Sequence, residues 1–112
     1  MPYFDFPPFA LLCEAELALG HLEEALSLSE EWLARSRALG MIESSIPRVH
    51  LVRVEALRAL GRVDETKTAL REAKDSILTL AAKIGDPELR RCFLENHHPH
   101  ARTFALCREL GL

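Results

Sequence analysis

With 112 residues, 48% of them apolar and 28% charged, the chain can bury one hydrophobic core but is too charged for a membrane-spanning helix. A net charge of −3 argues against a nucleic-acid surface, which needs a basic stripe, and no apolar run approaches the roughly 20 residues that cross a bilayer. Three cysteines without paired spacing read as buried, reduced thiols of a cytoplasmic protein; Met1-Pro2-Tyr3-Phe4-Asp5 offers no basic segment to open a signal peptide.

Pro7-Pro8 opens a first helix that runs to about Leu19, where Gly20 breaks it. In the second helix Leu22, Ala25, Leu26, Ser29, Trp32, Leu33 and Ser36 recur at steps of three and four. Its other face carries Glu23, Glu24, Glu30, Glu31 and Arg35, with Glu31 and Arg35 one turn apart. Gly40 is a left-handed cap at its end. A third helix starts after Ser44-Ser45, with Pro47 in its first turn. Its apolar residues (Val49, Leu51, Val52, Val54, Ala56, Leu57, Leu60) cover more than one face, so neighbours are expected on both sides.

Gly61 ends that helix, and a fourth shows Val63, Thr66, Leu70, Ala73, Ile77, Leu80 and Ile84 in alternating steps of three and four. Such a seam suits an antiparallel helix-pair contact. Gly85-Asp86-Pro87-Glu88 combines a helix stop, an N-cap, a proline at the first helical position and an acid in the first turn. A fifth helix follows from Pro87 to Glu95, and a sixth starts at His97-His98-Pro99 and runs to Leu110.

The chain repeats itself. Shifted by 41 residues, Glu14-Ala15 matches Glu55-Ala56, Ala18-Leu19-Gly20 matches Ala59-Leu60-Gly61, and Glu24 matches Glu65. A repeat of this length signals stacked helix-turn-helix units, an architecture for holding other proteins. With a glycine in each inter-helix turn and Ala25 or Thr66 five residues on, the pattern resembles the tetratricopeptide repeat in a longer-helix form. The resemblance implies an all-α solenoid of about six helices: repeat one over about 8–40, repeat two over about 44–84, and a two-helix cap over 86–112. It also implies that Ala25 and Thr66 sit where paired helices touch, and that Phe9 and His50 fill the bulky early position of each first helix.

Such repeats occur in bacterial transcriptional regulators of the MalT/LuxR and SARP/AfsR type and in related signalling ATPases. The tail from Ala82 to Asn96, with Phe104 to Gly111, is similar to the segment that closes those arrays. The resemblance implies a non-catalytic interaction or assembly module of a signalling or transcription-regulatory system, with no cofactor. It places the first helix of each repeat on the inner surface: Ala10, Glu14, Leu17 and Ala18, then Arg48, Leu51, Glu55, Arg58 and Ala59. Glu14, Leu17, Arg48, Leu51, Glu55 and Arg58 are the expected contacts to a peptide or partner helix, apolar anchors supplying affinity and charges setting register. A small ligand held in the same concave face is the alternative.

Other chemistry is sparse. There is no Gly-x-x-x-x-Gly-Lys-Ser/Thr loop and no Gly-x-Ser-x-Gly elbow, and the paired glutamates lie on solvated helix faces. His97, His98 and His100 with Cys92 and Cys107 match no zinc spacing; the histidines read as a solvated loop, with Cys92 turned to the core beside Leu89 and Phe93. Tyr3, Phe4, Phe6 and Phe9 suggest either a strap across the first helix pair or an uncapped apolar end that invites a homodimer. Leu78 is a second candidate contact.

Overall fold

The computed structural model describes residues 6–40 and 46–112, and all regular structure among them is helical. Helix α1 spans Phe6–Ala18, α2 Leu22–Ala38, α3 Ile46–Ala59, α4 Val63–Ala81, α5 Pro87–Asn96 and α6 His98–Glu109. This is the all-α fold of about six helices that the periodicity implies. No described helix is long and apolar enough to cross a membrane.

The turns follow from local chemistry. Gly20 and Gly61 adopt φ of 79° and 76°, a left-handed conformation that costs most residues energy. In each turn the next amide folds back onto the helix, His21 N–H donating to the Glu16 carbonyl at 2.9 Å and Arg62 N–H to that of Leu57 at 3.1 Å. These bonds satisfy carbonyls that a helix end otherwise leaves bare. Gly111 closes α6 in the same way, with Leu112 N–H donating to Cys107. At α5 the Asp86 carboxylate accepts from the amides of Glu88 and Leu89, with Pro87 in the first turn.

Helix α3 is the centre of the packing. It touches α1, α2, α4 and α6, and buries Val49, Val52, Val54, Ala56 and Leu57 in several directions at once. Ala25 and Thr66, equivalent by the 41-residue repeat, are both buried where paired helices meet, and the Thr66 hydroxyl turns back to donate to the Arg62 carbonyl at 2.7 Å. Overall extents of 41 × 39 × 24 Å give a slab two helices thick, since each helix with its side chains measures about 10–12 Å across. Helices α1, α3 and α6 are neighbours in sequence of packing; α2 and α4 lie against α3, yet no Cα of α2 comes within 8 Å of one in α4. That separation leaves a cleft.

Three details depart from the sequence reading. The α4 seam buries Thr66, Leu70, Ala73 and Ile77 but leaves Val63 exposed, and Ile84 lies beyond the helix. Ala69 and Ala81 are buried off the seam, because α4 has α3 on one side and α5 and α6 on the other. Helix α6 is not confined to capping α4 with α5; it also packs on α3.

Leu57→Ala removes a wholly buried side chain from the helix that every hairpin leans on, and should cost about 3 kcal/mol. Gly61→Ala should cost about 1 kcal/mol through backbone strain alone, because a Cβ there meets nothing within 4 Å. Urea unfolding checks both as shifts of midpoint at constant slope.

Candidate functional site

The six residues expected to contact a partner lie in a row at helical spacing, Glu14 and Leu17 on α1 and Arg48, Leu51, Glu55 and Arg58 on α3, and the four charged ones are all in ion pairs. Glu14 pairs with Arg48, the Arg48 Nε–H donating to Glu14 Oε2 at 3.1 Å. Helix α6 supplies the other partners. Arg102 reaches Glu55 through two bonds of 3.3 Å, and Arg58 donates to Glu109 Oε1 at 2.8 Å. Leu17 and Leu51 are half-buried against the core. These pairs bridge neighbouring helices at partly exposed positions, where each contributes about 0–1 kcal/mol. A partner binding along this row would first have to displace them. Ala10, placed on the inner surface by the resemblance, is instead fully buried with Trp32, Leu33 and Val49.

The outer flank of α1 is different. Leu11, Leu12, Ala15, Ala18 and Leu19 are all exposed, Leu11 and Leu19 at 58% and 68%. Their spacing of i, i+1, i+4, i+7 and i+8 is that of a core-facing stripe. In the second repeat the equivalents of Leu11 and Ala15 are Val52 and Ala56, and both are buried. Helix α1 touches only α2 and α3, so its stripe has no cover among the described residues. Phe9 stacks on Trp32 at 6.0 Å between ring centroids. Tyr3, Phe4 and the side chain of Phe6 lie outside the described residues, so the strap is left where the sequence put it. Leu78 is exposed on α4 as a lone apolar residue.

At the C-terminal end two expectations are corrected. Cys92 is exposed, as is Leu89, because α5 lays only one face on its neighbours. His100 belongs to α6 and is buried; its Nδ1–H donates to the Phe93 carbonyl at 2.6 Å and its ring lies 4.3 Å from that of Phe93. No three His, Cys, Asp or Glu side chains among the described residues converge as a metal site would require. Burial holds the Cys13 thiol up at about 11 and raises that of Cys107.

The residue that sequence reasoning undervalued is His50. It is 7% exposed on α3, and its Nδ1 is sealed from solvent with no hydrogen-bond partner. Its ring lines a hollow of about 200 Å³ between α2 and α4 with Leu33, Ser36, Arg37, Ile46, Ser76, Thr79 and Leu80. Beside it Arg53 spans the cleft, its Nε–H donating to Glu30 at 3.1 Å and Nη1–H to Glu72. Burial, reinforced by Arg53 and Arg37 against the opposing pull of Glu72, lowers the His50 pKa from 6.5 to about 4. The only sequence signal was the mismatch within the repeat, His50 standing where Phe9 stands.

Cys92 alone should react with a thiol reagent in the folded protein, and Cys13 and Cys107 only after denaturation; equal rates for all three would contradict the packing. His50 stays neutral when folded, so the unfolded chain takes up its proton first. Its contribution is therefore complete above about 6.5 and is lost as pH falls toward 4. His50→Leu should flatten the fall in unfolding midpoint over that window, and leave stability at pH 7 unchanged or higher by about 1 kcal/mol. A slope as steep as that of the unaltered protein would show that other groups set it.

No protein-family model matches the chain, and neither a curated protein nor a solved structure does.

Proposed function

We propose that this chain is a non-catalytic, tetratricopeptide-like assembly module that associates with a second copy of itself through the outer flank of α1. The observation that carries the proposal is the exposed stripe of Leu11, Leu12, Ala15, Ala18 and Leu19. Five apolar residues on one uncovered helix face amount to a core surface without its core. The internal repeat supports the reading, since Val52 and Ala56, the equivalents of Leu11 and Ala15 in α3, are buried by other helices. The opposite flank, on α4, is taken up by α5 and α6. A second copy therefore has no open α4 flank to offer, and head-to-tail growth is blocked. What is left is a two-fold contact of α1 on α1, which buries the same stripe from both sides.

The alternative, a small ligand in the concave face, has less behind it: the charges of that row already have partners, Glu14 with Arg48, and Glu55 and Arg58 with Arg102 and Glu109 of α6. A role in bacterial signalling or transcription regulation would follow from the resemblance of the repeats, with the module joining larger chains in pairs.

Light scattering on a sizing column tests the proposal. Untagged protein should run as a dimer at tens of micromolar, and the double variant Leu11→Glu, Leu19→Glu as a monomer with unchanged helix content. A monomer across the whole range, or a dimer that survives the double substitution, would sink it.

A further inference from the structure

We propose that the cleft between α2 and α4, floored by His50, binds a small α-amino or α-hydroxy acid with an apolar side chain. The cleft exists because α2 and α4 each lean on α3 without approaching one another. Arg53 holds them apart at one point through Glu30 and Glu72. Next to that bridge the hollow of about 200 Å³ has room for roughly seven groups the size of a water, below the range of drug-sized sites and suited to a metabolite.

Packing does not explain an imidazole at position 50. In the first repeat Phe9 holds the equivalent position and stacks on Trp32, so an apolar ring serves the fold. A sealed nitrogen without a partner costs the desolvation of that atom, about 1–3 kcal/mol, and buried polar groups left in that state call for a reason. A bare lone pair is the less costly form to seal, because orphaned buried N–H groups are the rarer defect. That puts the ring proton on Nε2, which is not among the sealed, unpartnered atoms, and leaves its N–H for a group bound in the cleft that the ring lines. Burial keeps the ring neutral near pH 7, so this donor is steady over the physiological range.

The other lining groups select the rest of the ligand. Arg37 has no ion-pair partner among the described residues, whereas Arg53 is consumed by two carboxylates. Together with His50 it offers donors to a carboxylate. Ser36 and Thr79 give their protons to the carbonyls of Trp32 and Asp75, at 2.9 and 2.8 Å. Their oxygens are left as acceptors, matched by an ammonium or hydroxyl on the ligand. Leu33, Ile46 and Leu80 form the apolar wall for its side chain.

Leucine is the probe, titrated into isotope-labelled protein and followed by amide NMR. Saturable shifts are expected along α2, α3 and α4 around Arg37, His50 and Leu80, with α1 and α5 unaffected. Arg37→Ala should weaken binding roughly tenfold or more, and Thr79→Trp, filling the mouth from an exposed position, should abolish it. Ser76→Leu replaces the latter if its helix content falls. Leucinamide, lacking the carboxylate, and 4-methylpentanoate, lacking the donor, should each bind more weakly than leucine. No saturable shift, binding that persists in the filled cleft, or leucinamide equal to leucine would overturn the proposal. Leu11→Glu, Leu19→Glu should bind leucine unchanged, so failure here and failure of the α1 contact are separately visible.

Discussion

A helix that is apolar on nearly every side cannot be satisfied by one neighbour, and α3 is such a helix. Val49, Val52, Val54, Ala56 and Leu57 point around its circumference, and all are buried. Four other helices are needed to cover them. The hairpin of α1 and α2 closes one flank, α4 another, and α6 returns from the far end to complete the enclosure. The glycine turns matter because the Gly20 turn folds α1 against α2 so that both reach α3, and the Gly61 turn brings α4 back along α3.

Satisfying α3 leaves two surfaces unsatisfied. The first is the outer flank of α1, which no other helix covers among the described residues. The two units are alike in sequence and unlike in environment: Val52 and Ala56 are covered, Leu11 and Ala15 are not. The second is the gap between α2 and α4. Both pack on α3 rather than on each other, and the gap is spanned by the charges of Glu30, Arg53 and Glu72 instead of by apolar contact. An exposed apolar flank and an open cleft are thus two consequences of one packing centre.

The charged row along α1, α3 and α6 shows why a face inferred by analogy need not be available. Glu14, Arg48, Glu55 and Arg58 lie along α1 and α3, and Arg102 and Glu109 of α6 meet two of them. These partly exposed pairs contribute little stability each and chiefly set how neighbouring helices align. The histidines teach the converse. His100 has a carbonyl to receive its proton and is a settled part of the packing, whereas His50, equally buried, has no such partner.

Local chemistry was enough for the sequence to determine the helices and their ends. Gly20, Gly40 and Gly61 mark left-handed caps, Asp86-Pro87 an N-cap, and the three-and-four spacing of Trp32, Leu33 and Ser36 a buried face; each depends on residues within one or two turns. The need to cover α3 on several sides was also legible, as was the equivalence of Ala25 and Thr66. Only the tertiary structure decided which helices do the covering. It sent α6 to α3, turned Cys92 outward, buried His100, and opened the cleft over His50. Each of these depends on groups from helices distant in sequence meeting in space. The periodicity of a helix specifies which of its faces is apolar but not which other helix will lie against it.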